Sequence, residues 1–309
     1  MTTNPEARSS SFKRFVTDHP LTSYFVLAYA GTWIVLLPAV LAQNGLGILP
    51  FRLPDVLAFL SFVLFSSFAG PTLAAFIVTR VISGKEGVRQ LLRRYVQWRV
   101  GIHWYLIALL IFLIGFLLST SISLGVAPLT TFIQKWPLIF SSFLPNVLVF
   151  GLLGVFGEEP GWRGFALPRM QQSYGPVTGS LILGALHGFW HLPAFLVADA
   201  LGPFILPNFI TFVLTAIAGT VLYTWIYNNT RGSILIAILI HSASNAASGF
   251  IVQNIVPENP QLGGLAQVIY TQNWGNVIAF GILALLVIVF TRGQLSYQPA
   301  QTDKLANNV

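Results

Sequence analysis

The chain has 309 residues, of which 55% are hydrophobic and only 8% charged, against roughly 25% charged in an average soluble domain. At a mean hydropathy of +0.74, so few charges cannot cover a water-soluble globule, and the same figures exclude a disordered chain, a coiled coil and a collagen. The net charge of +7 reads as basic residues held at one membrane face rather than as a nucleic-acid surface. The lack of cysteine removes disulfides, thiol catalysis, Fe–S ligation and Cys-based zinc sites.

The expected class is therefore an all-α, polytopic integral membrane protein. Residues 1–20 form a polar N-terminal segment, of which 1–12, rich in Ser, Thr and Asn, are expected to be disordered. Crossing a bilayer takes about 20 apolar residues. Eight runs qualify, at about 21–43, 56–79, 102–125, 138–156, 176–198, 207–228, 232–253 and 275–291. The first is long for a cleavable signal peptide and is read as a retained span. Residues 21–291 then make one transmembrane domain, and 292–309 a disordered tail, with no internal repeat.

Orientation follows from the basic residues. If the N-terminus is cytoplasmic, all of the sixteen except Arg52 and Lys135 fall on inside segments, as the positive-inside rule requires. Both termini are then cytoplasmic. Between the second and third spans, Val88, Leu91, Leu92 and Tyr95 recur at helical spacing while Lys85, Arg89 and Arg93 step by four on another face. This predicts an interfacial helix on the anionic leaflet, with membrane lipids as its partner and no nucleic acid.

Ionisable groups within spans are costly and are functional candidates by default. The first three spans hold no acid and only His103, at a mouth. The fourth runs into Glu158, Glu159 and Arg163, the fifth holds His187 and His191, and the seventh holds His241 and Asn245. His187 and His191 are four apart, as are His241 and Asn245, so each pair shares a helix face. Glu159 and Arg163, also four apart, can pair if that stretch is helical, which leaves Glu158 about 100° away around the helix. A carboxylate, imidazoles and an amide that converge in a polar cavity suit hydrolysis: the carboxylate takes a proton from water and His/Asn donors hold an oxyanion. The bland alternatives are helix–helix hydrogen bonds and a structural ion pair, with Ser242, Ala243, Ser244, Ala246, Ala247 and Ser248 as packing residues. A 1.5 Å rise puts His241 about 14 Å from Gly232, and His187 and His191 about 17 and 23 Å from Pro176. To meet His191, the glutamates need tilt, an inserted glutamate segment or a later start to the fifth helix.

Glu158-Glu159-Pro160-Gly161-Trp162-Arg163, His187-Gly188-Phe189-Trp190-His191 and His241-Ser242-Ala243-Ser244-Asn245, taken together, resemble the CPBP family of intramembrane proteases. That family includes type II CAAX-prenyl endopeptidases and bacteriocin-processing or immunity (Abi-like) proteins. Its pattern is Glu-Glu-x-x-x-Arg, Phe-x-x-x-His and His-x-x-x-Asn/Asp on successive helices. The resemblance covers about 150–250 and departs from the pattern in placing His187 where the family has Phe.

It implies an eight-helix fold with a catalytic cavity open to the cytoplasm, in a bacterial or archaeal inner membrane. Glu158 would be the general base, assisted by His191. His241 and Asn245 would hold the oxyanion, and Arg163 would order the glutamates through Glu159. His187 is a supporting residue, a further ligand, a proton carrier or packing. A divalent metal such as zinc, held by Glu158, His191 and His241, and a metal-free glutamate mechanism both remain open, since the His-Glu-x-x-His motif is absent. The implied substrate is a peptide or a lipidated protein. The rival readings are a non-catalytic scaffold or immunity protein of the same family, and a transporter with a Glu158–His191–His241 proton relay. The confinement of polar groups to one half of the chain argues against the transporter.

Overall fold

Apolar runs opened by proline set the helix starts. Pro20, Pro176 and Pro207 each sit in the first turn of a long helix, where a missing N–H costs nothing. Gly125 and Gly175, with φ of 68° and 77°, end two others in a conformation that other residues rarely adopt. The computed structural model describes residues 5–197, 205–257 and 260–299. Residues 1–4 of the polar segment, residue 198 of the expected fifth span and 300–309 of the expected tail lie outside them.

The helices are α1 (Pro5–Asp18), α2 (Pro20–Leu41), α3 (Asp55–Leu60), α4 (Leu73–Arg93), α5 (Ile102–Leu124), α6 (Ala127–Gln134), α7 (Leu144–Phe150), α8 (Phe156–Glu159), α9 (Leu167–Tyr174), α10 (Pro176–Trp190), α11 (Leu192–Phe195), α12 (Leu206–Asn229), α13 (Ile234–Asn254), α14 (Gly264–Thr271) and α15 (Trp274–Phe290). No strand occurs among the described residues. Wide, π-type turns join several of them, at Ser61–Ser66, Phe68–Thr72, Ile139–Phe143, Gly151–Val155 and Pro160–Ala166. The polar stretch expected to be disordered is helical in α1 over its described residues.

The all-helical membrane class is as expected, but the span count differs. Among the described residues, six helical segments are long and apolar enough to cross: Pro20–Leu41, Leu64–Val96, Ile102–Leu124, Ile139–Tyr174, Leu206–Asn229 and Ile234–Asn254. The α14–α15 pair, bent by 76°, makes a seventh if it counts as one span. The expected fifth span fails on length, because α10 has 15 residues, about 22 Å at 1.5 Å per residue. The expected fourth span does not stop at 156; its helical run continues through the glutamates to Tyr174.

Two cores flank the glutamate segment. One gathers Tyr24, Trp162, Phe165, Met170, Trp190 and Tyr227. The other is built on Phe112, Phe143, Phe250 and Phe280. Helix α10 lies along α12, α12 along α15, and α13 along α5. A Cβ on Gly184 of α10 would meet the Ile217 Cα of α12 at 2.6 Å, so this helix pair packs at backbone distance, as small residues permit in membranes.

The expected interfacial helix is the second half of α4, offset by Gly84 at φ 66°, ψ −154°. Lys85, Arg89 and Arg93 are exposed as expected, but so is Leu92. Arg94, just beyond, turns inward and is 5% exposed.

Candidate active site

Glu158 and Glu159 are the last two residues of α8, immediately before the Pro160–Ala166 wide turn, midway along the 139–174 helical run. Of the three ways for the glutamates to reach deep histidines, a later start to the fifth helix is not used, since α10 begins at Pro176, and the glutamates lie inside a continuous helical run. Wide turns inside helices recur at functional sites because they free backbone groups and re-aim side chains. Here one follows a proline, whose missing N–H interrupts regular α bonding.

The neighbouring glutamates face different partners. Glu159 is fully buried, and its Oε1 accepts from Arg163 Nη1 and from His241 Nδ1, both at 2.7 Å. Arg163 also lies over the Tyr223 ring, 4.1 Å from its centroid. The expected four-residue pair forms, so the wide turn carries Pro160 and Gly161 without breaking it. Glu158 Oε2 contacts His187 Nε2 at 3.1 Å, and its Oε1 accepts from the Ser67 hydroxyl at 3.4 Å.

His187 is thus the imidazole bonded to Glu158. His191 sits beside it, ring centroids 5.1 Å apart, and its Nδ1 donates to the His187 carbonyl at 2.9 Å. Donation from Nδ1 makes Nε2 the unprotonated nitrogen of a neutral His191 ring, which is the state suited to a base or a metal ligand. His187 and His241 approach to 5.9 Å between rings, so three motifs from distant chain segments meet. Asn245 is half-buried one turn beyond His241, and no bond from it to the glutamates is among those described.

The donors with metal-ligand geometry are Glu158, His187 and His191, whose ligand atoms lie within 4.8 Å of one another. The sequence expectation named Glu158, His191 and His241. His241 is outside that group among the described residues, and its Nδ1 bonds Glu159. A carboxylate with two imidazoles is a donor set used by catalytic zinc, so the residues present fit such an ion.

Several framing residues carried no clear signal in the sequence. Ser67 comes from the second expected span, as does Thr72, whose hydroxyl bonds the Gly157 carbonyl. The Trp162 ring lies tilted against His187, centroids 4.6 Å apart, and edge-on to Trp190 at 5.7 Å. Trp190 Nε1 bonds Thr32 Oγ1 at 2.8 Å, and Thr32 in turn donates to the Ser66 carbonyl at 2.8 Å. A hydroxyl inside an apolar span is the one hint the sequence offered, and Ser66-Ser67 is such a pair. The motif side chains pack into a buried cluster rather than line an open cavity. A cavity of about 460 Å³ lies elsewhere, between Val96–Arg99 and Arg231.

Residues 140–247 match a family model described as Type II CAAX prenyl endopeptidase Rce1-like. That segment contains all three motifs. The chain is also 31% identical over 110 residues to the CAAX prenyl protease 2 of Methanococcus maripaludis, an alignment that covers 34% of this chain and 41% of that protein. The chain therefore matches about two fifths of the length of that curated relative. Both findings support the CPBP/CAAX protease family that the motifs resemble.

Proposed function

We propose, from the place of residues 140–247 in the CPBP/CAAX protease family, that this integral membrane protein is an endopeptidase. Its substrate would be a peptide bond of a membrane-associated or lipidated chain. The observation that carries the reading is the Glu158–His187 contact at 3.1 Å, beside His191 and packed among aromatic rings.

In this reading Glu158 is the general base. It takes a proton from water as the water oxygen adds to the scissile carbonyl carbon. The C–N bond then breaks, and the proton passes from Glu158 to the leaving nitrogen. His187 orients Glu158 by donating to Oε2, and Ser67 supports the other oxygen. His191, with Nε2 unprotonated, assists the water. His241 donates Nδ1–H to Glu159, so its Nε2 donates to an oxyanion only in the doubly protonated ring. Asn245 supplies a second oxyanion donor. Arg163 fixes Glu159 and through it the turn that carries Glu158. A divalent ion, if bound, would be held by Glu158, His187 and His191 and would supply Lewis-acid polarisation.

The relative's printed name makes a prenylated Cys-a-a-X end one substrate to try. The basic residues point to cytoplasmic termini and hence a cytoplasmic-side substrate, in the inner membrane of a bacterium or archaeon. The test is a quenched-peptide library with lipidated and unlipidated members, presented in liposomes to wild type and to Glu158→Ala. Cleavage by wild type alone is the expected result, and the cleaved members name the substrate class. Equal cleavage by both would overturn the role of Glu158. Binding without cleavage by either would favour a scaffold.

A further inference from the structure

We infer that Arg94 is a positioning residue, a brace that sets the register between the glutamate turn and the helix that carries His241. The inference rests on the proteolytic reading above for its effect on turnover, while the brace itself stands on geometry. Arg94 lies outside the segment that matches the family model and belongs to none of the three motifs.

Its guanidinium reaches three elements at once. Nη1 donates to the Gly164 carbonyl at 2.8 Å and Nη2 to the Arg163 carbonyl at 3.4 Å, both within the Pro160–Ala166 wide turn. Nε donates to the Gly232 carbonyl at 2.9 Å, in the turn that leads into α13. Nη2 also bonds the Tyr227 hydroxyl on α12, and the guanidinium lies 5.5 Å from that ring's centroid. These carbonyls are 70 and 138 residues from Arg94 in sequence. Arginine suits this task because its planar fork offers several fixed donors at once, which lysine does not.

The neighbours of Arg94 reinforce the same turn. Gln97 Nε2 donates to the Thr230 and Arg231 carbonyls at 3.0 and 3.1 Å, and Ser233 Oγ donates to the Gln97 carbonyl at 2.7 Å. The Ser233 hydroxyl also accepts from the Ile236 N–H, capping α13. Segment 94–97 therefore fixes where α13 begins, and Arg94 ties that start to the glutamate turn.

The functional consequence lies at the other end of both segments. Glu159 Oε1 meets His241 Nδ1 at 2.7 Å, a contact that tolerates little sliding of α13 against the turn. A misplacement of about 1 Å in a reacting constellation can cost on the order of 100-fold in rate. Arg94 touches neither glutamate nor histidine side chains, so it acts through the backbone it holds.

The experiment uses the full chain in lipid nanodiscs, with histidine-selective ¹⁵N labelling, for wild type, Arg94→Lys, Arg94→Met and Tyr227→Phe. The His241 signals are assigned by their loss in His241→Asn. The expected result is a His241 Nδ1 resonance displaced toward its position in Glu159→Gln, most in Arg94→Met, less in Arg94→Lys and least in Tyr227→Phe. His19, which packs on Phe15 and shares no described contact with residues 94–97 or 227–233, should stay in place, whereas a general loosening would move it too. On a cleavable peptide, kcat should fall at least about tenfold in Arg94→Met with KM within about threefold, and Arg94→Lys should recover part of it. An unchanged His241 signal in every folded variant would overturn the brace. If wild type cleaves no peptide, the proteolytic reading fails while the spectra still decide the brace. Should Arg94→Met fail to fold, Arg94→Lys and Tyr227→Phe give the same decision.

Discussion

Glu158 and Glu159 are adjacent, yet one holds an imidazole and a hydroxyl while the other closes an ion pair with Arg163 and His241. Their amide variants should therefore fail differently. Glu158→Gln keeps size and a hydrogen-bond acceptor but loses basicity, so cleavage should drop by about 10²–10⁴, the usual contribution of a general base. Its unfolding midpoint in detergent should stay near wild type. Glu159→Gln leaves Arg163 buried against a neutral amide, and breaking a buried pair costs about 3–5 kcal/mol. A clearly lowered midpoint is expected there, and equal midpoints for the two variants would refute this division of labour. Elemental analysis of the purified protein separates the donor sets. If a divalent metal co-purifies, His187→Ala and His191→Ala should each lose it while His241→Ala retains it. Retention in His187→Ala with loss in His241→Ala would restore the donor set expected from sequence.

At the scale of elements, the Glu159–Arg163 pair was legible because four-residue spacing survives a wide turn, and the apolar runs of α2, α5, α12 and α13 placed those helices within a few residues. What hydropathy could not register was where the fourth span ends. Pro160 and Gly161 read as a break, whereas the backbone carries them as one more turn, Pro160 at φ −59° and ψ −35°. Gly161 has its own reason to be there. A Cβ would lie 2.5 Å from the Tyr24 hydroxyl and 2.6 Å from the Pro71 carbonyl oxygen, so the glutamate turn rests directly on the backbone of the second expected span. Overpacking of this kind typically costs about 1–3 kcal/mol. Gly161→Ala should lower the unfolding midpoint and reduce cleavage together, and a variant that matches wild type in both would show that this contact is not as close as described. The choice between His187 and His191 was not legible either. Spacing puts both on one face of the helix, and only the tertiary packing of Trp162 and Trp190 decides which ring meets Glu158.

For the whole molecule, the sequence located the ionisable groups of the site in the second half of the chain, but not the hydroxyls, which the first two expected spans contribute, nor Arg94, which follows the basic helix between the second and third. Those groups escaped because a serine or threonine in an apolar run is common, and an arginine among five basic neighbours reads as surface charge. The orientation drawn from the basic residues can be tested directly, since the chain has no cysteine. Single cysteines at Ser83, beside the basic segment, and at Thr131, near Lys135, should respond oppositely to a membrane-impermeant thiol reagent. In intact cells Thr131→Cys should label and Ser83→Cys should label only after permeabilisation. The reverse pattern would invert the topology and put the proposed substrate on the other side.

Activation of water by Glu158 is the step on which the proposed cleavage depends. Wild type and Glu158→Gln should be incubated in H₂¹⁸O with a peptide that wild type cleaves, and the new C-terminal carboxyl read by mass spectrometry. One ¹⁸O per product in wild type, and no product above background in Glu158→Gln, is the predicted result. Labelled product formed at the wild-type rate by Glu158→Gln would contradict it.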